Sequence, residues 1–197
     1  MKPLVLATRN KGKLAEFRDL LKDYPVHIMS LGDFPDIPEI EETGVSFAEN
    51  ALIKAGTVAK ATGLLAVADD SGLEVDCLDG APGVHSARFA GEPKNEQRNN
   101  EKLVTLLRDV PKERRRARFR CVLAVVTSEG QEFLAEGACE GVINLEPRGS
   151  HGFGYDPLFF LPEFGQTMAE LDPEIKNRIS HRARAFQAVK KVLVKLI

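Results

Sequence analysis

The sequence predicts an α/β layered fold on a mixed β-sheet, organised as a single domain over residues 1–197. Three observations carry this. Short apolar runs suited to strands alternate with segments of helical spacing along the whole chain. Two long strand-like stretches, 116–128 and 131–145, flank Glu129-Gly130 as an antiparallel pair, which makes the sheet mixed. No internal repeat or low-complexity linker divides the 197 residues, a length sufficient for one well-packed core.

Taken in order, Leu4-Val5-Leu6-Ala7 is a short buried strand and Thr8 to Gly12 a polar turn. From Lys13 the spacing of Leu14, Phe17, Leu20 and Leu21 predicts a helix. Val26 to Met29 is a second strand, followed by a proline-rich acidic loop from Phe34 to Gly44. An alanine-rich helix covers Phe47 to Thr62 and closes at Gly63. The strand Leu65 to Ala68 then meets a turn, Asp69-Asp70-Ser71-Gly72, and a second short strand, Leu73-Glu74-Val75. Gly80-Ala81-Pro82-Gly83 is a loop, and Asn95 to Leu107 a helix. In 116–128 arginines first alternate with apolar residues and the run then becomes wholly apolar, as for a strand entering the sheet interior. A glycine-rich loop, Gly149 to Pro157, precedes Leu158 to Leu161. Asp172-Pro173-Glu174 starts the last helix: a cap, a proline at the first position and an acid at the positive end. That helix aims Ile175, Ile179, Phe186, Val189, Leu193 and Leu196 at the core.

Composition narrows the function classes. A net charge of −2 gives no general attraction to nucleic acid or anionic lipid, so any electrostatic function is local. Cys77, Cys121 and Cys139 form no CxxC pair, which suits a reducing compartment and argues against a cysteine zinc site. No apolar run approaches the ~18 residues of a membrane span. The N-terminus enters a strand without a signal-peptide pattern, and the expected location is cytoplasmic.

Five segments carry candidate chemistry. Thr8-Arg9-Asn10-Lys11-Gly12-Lys13, between strand and helix, offers backbone N–H groups and a lysine to a phosphate. It is no Walker A loop, because Ala7 and Leu14 stand where glycine and serine or threonine are needed, and a solvated helix cap is the plain alternative. The acidic run Glu39-Ile40-Glu41-Glu42 is either a metal-binding cluster or a solvated loop. Asp69-Asp70 at a strand end suits a magnesium ligand or general base, or else two carboxylates capping a turn. Adjacent carboxylates near a core disfavour each other's ionisation, so the pair calls for a compensating charge. Gly152-Phe153-Gly154-Tyr155-Asp156 can present a ring for base stacking, or be a tight turn with one buried aromatic. Lys176 and His181-Arg182 either face solvent or supply donors beside that ring. Ser71 lies in no G-x-S-x-G elbow. The basic run from Lys112 to Arg120 has the alternation of a solvated strand edge and carries no nucleic-acid reader motif.

In combination and in order, these segments resemble the inosine triphosphate pyrophosphatase family. The likeness rests on Thr8–Lys13, Glu41-Glu-Thr-Gly-Val-Ser-Phe-Ala-Glu-Asn-Ala51 with Lys54-Ala55, Ala68-Asp-Asp-Ser-Gly-Leu73, Gly80–Phe89, Gly152–Pro157 and Lys176…Ser180-His-Arg182. It implies an elongated mixed sheet flanked by helices, two lobes with a central cleft, and a homodimer. It further implies Mg²⁺-dependent cleavage of ITP, dITP and XTP between the α- and β-phosphates, giving a nucleoside monophosphate and pyrophosphate. On the same basis Glu41 and Asp70 are the magnesium-linked carboxylates and Asp70 the general base. Lys13, Lys54 and the segment Thr8, Arg9, Asn10, Lys11, Gly12 hold the triphosphate, with Ser71 also on the substrate. Phe153, Gly154, Tyr155, Asp156, Lys176, His181 and Arg182 hold the base, Phe153 by stacking. Three other readings compete: a pyrophosphatase for other modified nucleotides, a non-catalytic nucleotide sensor, and an RNA-binding module built on the arginine run.

Overall fold

The computed structural model describes residues Met1–Ile197. One seven-stranded mixed sheet runs in the order β2-β1-β3-β4-β5-β6-β7. Its strands are β1 (Lys2–Leu6), β2 (Val26–Ser30), β3 (Leu65–Val75), β4 (Arg116–Val126), β5 (Glu132–Ile143), β6 (Phe159–Leu161) and β7 (Gln166–Thr167). The helices are α1 (Lys11–Leu21), α2 (Phe47–Thr62), α3 (Glu96–Leu107), α4 (Pro173–Ile179) and α5 (His181–Leu196). β1 pairs in parallel with β2 and with β3, setting Leu4 opposite Leu65 and Leu6 opposite Val67. β5, β6 and β7 pair antiparallel. The expected α/β class and mixed sheet are therefore present. No helix is long and apolar enough to cross a membrane.

The chain divides into two compact units. The first holds Met1–Asp70, Cys121–Gly137 and His181–Ile197, the second Ser71–Arg120 and Ala138–Ser180. In the first, Leu4, Leu6, Val67, Cys121, Leu123 and Val125 pack with Phe17 and Leu21 of α1 and with Phe186, Val189 and Leu193 of α5. The intervening strand residues Val5, Ala66, Ala68, Val122 and Ala124 are equally buried, so this part of the sheet is covered on both faces. Gly137 in β5 is required here. A Cβ at that position would overlap the carbonyl oxygen of His181 and the amide of Ala185, so only glycine lets the start of α5 approach so closely. The second unit has its own core, built from Leu73, Val75, Leu103, Leu107, Phe119, Ile143, Leu158, Phe159 and Met168. Arg118 and Arg120 of the basic run meet Glu74, and Arg118 also meets Asp76 and Glu140, so acids match that strand's charge.

Three expectations need correction. α1 begins at Lys11 rather than Lys13, because Asn10 caps it by accepting from the Lys13 amide at 3.0 Å. Asp69-Asp70-Ser71-Gly72 is no turn: β3 runs unbroken through it from Leu65 to Val75. The last helix is two. Ser180, extended at ψ 158°, ends α4, and α5 starts at His181. Ile175 and Ile179 pack on the second unit's core while Phe186, Val189 and Leu193 pack on the first's. A single apolar stripe thus serves two cores.

Candidate active site

Continuity of β3 decides the geometry of its two carboxylates. Successive side chains of a strand point to opposite faces, so neighbours in sequence become strangers in space. Asp69 shares the face of Val67, under α1 and α5. Its Oδ2 lies 2.9 Å from Lys13 Nζ and 3.1 Å from Arg182 Nε. Arg182 Nη1 in turn lies 2.8 Å from Glu16 Oε2. Asp70 meets α2 instead: its Oδ1 lies 3.1 Å from Lys54 Nζ, and its Oδ2 accepts from Asn50 Nδ2 at 3.2 Å. Asn50 and Lys54 are one helical turn apart and share a face. Lys54 Nζ also reaches Glu42 Oε1 at 2.7 Å.

These surroundings drive the two acids in opposite directions. Burial opposes ionisation of Asp69, but Lys13, Arg182 and Lys54 together outweigh it and hold that carboxyl well below the usual range. Burial dominates at Asp70 and, with the charge of Glu42, pushes its carboxyl up against the pull of Lys54 and Lys13. Lys54 loses to burial and gains more from Asp70, Asp69 and Glu42, so its ammonium is held above the ordinary lysine value. Two carboxyls pushed apart in this way are suited to separate duties: a fixed counter-charge at Asp69, a proton acceptor at Asp70.

The segment before α1 is compact. Asn10 donates its backbone amide to Thr8 Oγ1 at 3.1 Å, and Arg9 Nη2 donates to the Ile37 carbonyl at 2.7 Å. The amides of Lys11 and Gly12 belong to the first turn of α1, where no carbonyl of the helix itself can accept them. Lys11 is exposed; Lys13 is half-buried beside Asp69.

In the second unit, Asp156 organises the aromatic loop. Its Oδ2 accepts from the Phe153 amide at 3.0 Å and from Lys176 Nζ at 2.8 Å. Lys176 Nζ also stands 5.3 Å from the centroid of the half-buried Phe153 ring, within cation–π range. Gly152, at φ +80°, has no room for a Cβ against the Asp156 carboxylate. Tyr155 is buried and donates its hydroxyl to the Ser86 carbonyl at 2.8 Å, and burial pushes its phenol up. Ser71 is half-buried on β3. His181 and Arg182 are both buried in the first unit.

Comparison with known proteins identifies the family. Residues 4–192 match the Ham1 family, nearly the whole chain. The chain belongs to that family. A Desulforamulus reducens protein named dITP/XTP pyrophosphatase is 56% identical over 98% of this chain and 96% of its own length. A Ham1 protein from Coxiella burnetii, 44% identical, superposes with a TM-score of 0.89 over 99% of this chain and all of that one. A structure titled nucleoside-triphosphatase / dITP/XTP pyrophosphatase, from Mycobacterium abscessus, is 46% identical with a TM-score of 0.76, over 97% of this chain and 99% of that one.

Within this Ham1 fold, three residues take roles that the sequence did not assign to them individually. Glu16 anchors Arg182, and its signal was its position three residues after Lys13, on the same helical face. Asn50 was legible in the same way, four residues before Lys54. Glu42, not its exposed neighbour Glu41, holds Lys54; both acids lie in one irregular loop, where sequence gives no facing. Asp70 and Glu42 converge on one ammonium with oxygen donors only, a set suited to a hard ion such as Mg²⁺.

Proposed function

We propose that this protein hydrolyses deaminated purine nucleoside triphosphates (dITP, XTP and ITP) to the monophosphate and pyrophosphate, and so removes them from the nucleotide pool. The observation that carries this is the division of adjacent carboxylates between the two faces of β3, each paired with its own lysine, Asp69 with Lys13 and Asp70 with Lys54. The names of the relatives supply the substrate class. Asp70 takes the proton of the attacking water as its oxygen bonds to phosphorus and the bridging P–O bond breaks toward pyrophosphate. Lys13 and Lys54 offset the charge that develops on the phosphate oxygens, the larger part of catalysis in phosphoryl transfer. Asp69 keeps Lys13 fixed. Asp70 and, by family resemblance, Glu41 would hold Mg²⁺, which would supply further neutralisation of the triphosphate.

The base falls to Phe153, Gly154, Tyr155, Asp156, Lys176, His181 and Arg182. A donor facing C6 pairs with the oxygen of hypoxanthine or xanthine and is left unsatisfied by the amine of adenine, a mismatch worth several powers of ten in selectivity. Family resemblance alone supports a homodimer, and the three cysteines without a CxxC pair support a reducing compartment such as the cytoplasm. The test is a nucleotide panel with Mg²⁺ that separates pyrophosphate from orthophosphate. Pyrophosphate from dITP and XTP, with far slower turnover of ATP and GTP, is expected. Equal turnover of ATP, or orthophosphate as first product, overturns the reading, and tight binding of dITP without turnover would identify a sensor.

A further inference from the structure

The segment Gly80–Phe89 and the helix after it have no part in the mechanism above, yet they converge on the aromatic loop. Asn99, buried in α3, donates to the carbonyls of Ser86 and Ala87 and accepts the Ala90 amide at 2.7 Å. The Ser86 carbonyl also receives the Tyr155 hydroxyl. The next residue of α3, Asn100, donates Nδ2 to the Gly154 carbonyl at 3.0 Å. Gly154, at φ +63°, is in the left-handed region, which glycine enters freely and is as free to leave again, so a bond to its carbonyl restricts it. Its neighbours in sequence are Phe153 and Tyr155.

One atom sets Asn100 apart from a residue kept for stability: its Oδ1 is buried and has no hydrogen-bond partner. A buried acceptor left unpaired counts against the fold, so only the Nδ2 donor recommends an amide at this position. We propose that Asn100 is a positioning residue for substrate, fixing the Gly154 carbonyl and through it the orientation of the Phe153 ring. The proposal rests on the assignment of residues 153–156 to the base.

The test compares Asn100→Leu, of similar size with no polar atoms, with Asn100→Asp, which keeps the acceptor and sets a carboxylate against the Gly154 carbonyl. Melting temperature, dITP steady-state kinetics and hydrogen exchange at the 153–156 amides are measured for each, alone and with Phe153→Ala. Asn100→Leu is expected to melt no lower than wild type, to exchange faster at 153–156, and to raise KM for dITP about tenfold with kcat nearly unchanged, the scale of one lost hydrogen bond. Asn100→Asp should raise KM further. Neither should add to the KM of Phe153→Ala. A lowered melting temperature with unchanged KM, unchanged exchange, or full additivity with Phe153→Ala overturns the proposal. A wild type inert toward dITP overturns the assignment of the loop itself, while exchange still reports whether Asn100 holds it.

Discussion

The carboxylates of β3 and the loop around Phe153 are held by different means. Around Asp69 and Asp70 all but Glu42 is set by regular elements: the two-residue period of the strand, the three-residue step from Lys13 to Glu16, the four-residue step from Asn50 to Lys54. The aromatic loop has no such period. It is fixed by glycines in left-handed conformations and by bonds from Asn100, Lys176 and Tyr155. The difference suits the chemistry. Charge neutralisation on phosphate is sensitive to placement and depends on a frame that does not reorganise. Stacking needs only a ring face, which a loop can present and adjust.

Removal of the proton acceptor should give the largest effect. Asp70→Asn is expected to lower kcat by about a thousandfold or more, with KM for dITP and the unfolding midpoint little changed. Steady-state pyrophosphate release beside a urea titration checks both, and retained activity would take Asp70 out of the base role. Asp69→Asn should fail differently. It leaves Lys13 and Arg182 buried beside a neutral amide, and breaking a buried pair costs about 3–5 kcal/mol of stability. The carboxyl of Asp69 is depressed in the fold, so its contribution is complete above the ordinary value of 3.8 and is lost as pH falls toward the folded value. Urea midpoints measured below pH 4 should therefore fall more steeply in wild type than in Asp69→Asn. Equal slopes would mean that another carboxylate governs the acid limb.

The same contrast explains what the sequence could reveal. The mixed sheet, α2 with its Gly63 cap and the strand pair 116–145 were all legible, because their signals are local: period, cap and turn. Asp69-Asp70-Ser71-Gly72 misled because its residues are turn formers. Burial of Asp69 and Asp70, with the strand continuing to the buried Leu73 and Val75, overrode that preference and kept the strand extended. Only as a strand does the pair split between two faces, so the misread element was also the one that removes the repulsion. The break at Ser180 was invisible for a related reason. The seven-residue step from Ile179 to Phe186 preserves helical period across it, although the two residues serve different cores. Glu42 stood in the acidic run, but its pairing with Lys54 was not legible because that loop is irregular, and Asn100 was distinguished only by a partner 54 residues away.

An intermediate effect belongs to the loop. Phe153→Ala removes the ring but leaves the Asp156–Lys176 pair and all of β3 in place. Loss of base stacking is worth about 1–3 kcal/mol, so KM for dITP should rise roughly tenfold to a hundredfold while kcat stays within a few-fold. The penalty should be similar for XTP and for ITP, since every purine offers a face to stack. A collapse of kcat instead would tie the loop to the chemistry and erase the distinction between the two regions.

The smallest effects separate Glu41 from Glu42, where resemblance and geometry point to different acids. Family likeness puts the metal on Glu41, which is exposed; Glu42 is the residue that reaches Lys54. Glu42 is itself partly solvated, and ion pairs of that kind contribute about 0–1 kcal/mol. Glu42→Gln should therefore lower the urea midpoint slightly and leave the Mg²⁺ concentration for half-maximal activity near that of wild type. Glu41→Gln should do the reverse, raising the Mg²⁺ requirement several-fold with stability untouched. Titrating Mg²⁺ against dITP hydrolysis in both variants decides between them. If the requirement moves with Glu42 and not with Glu41, the acid beside Lys54 is the ligand, and the ion, the base and the lysine all meet on the Asp70 face of β3.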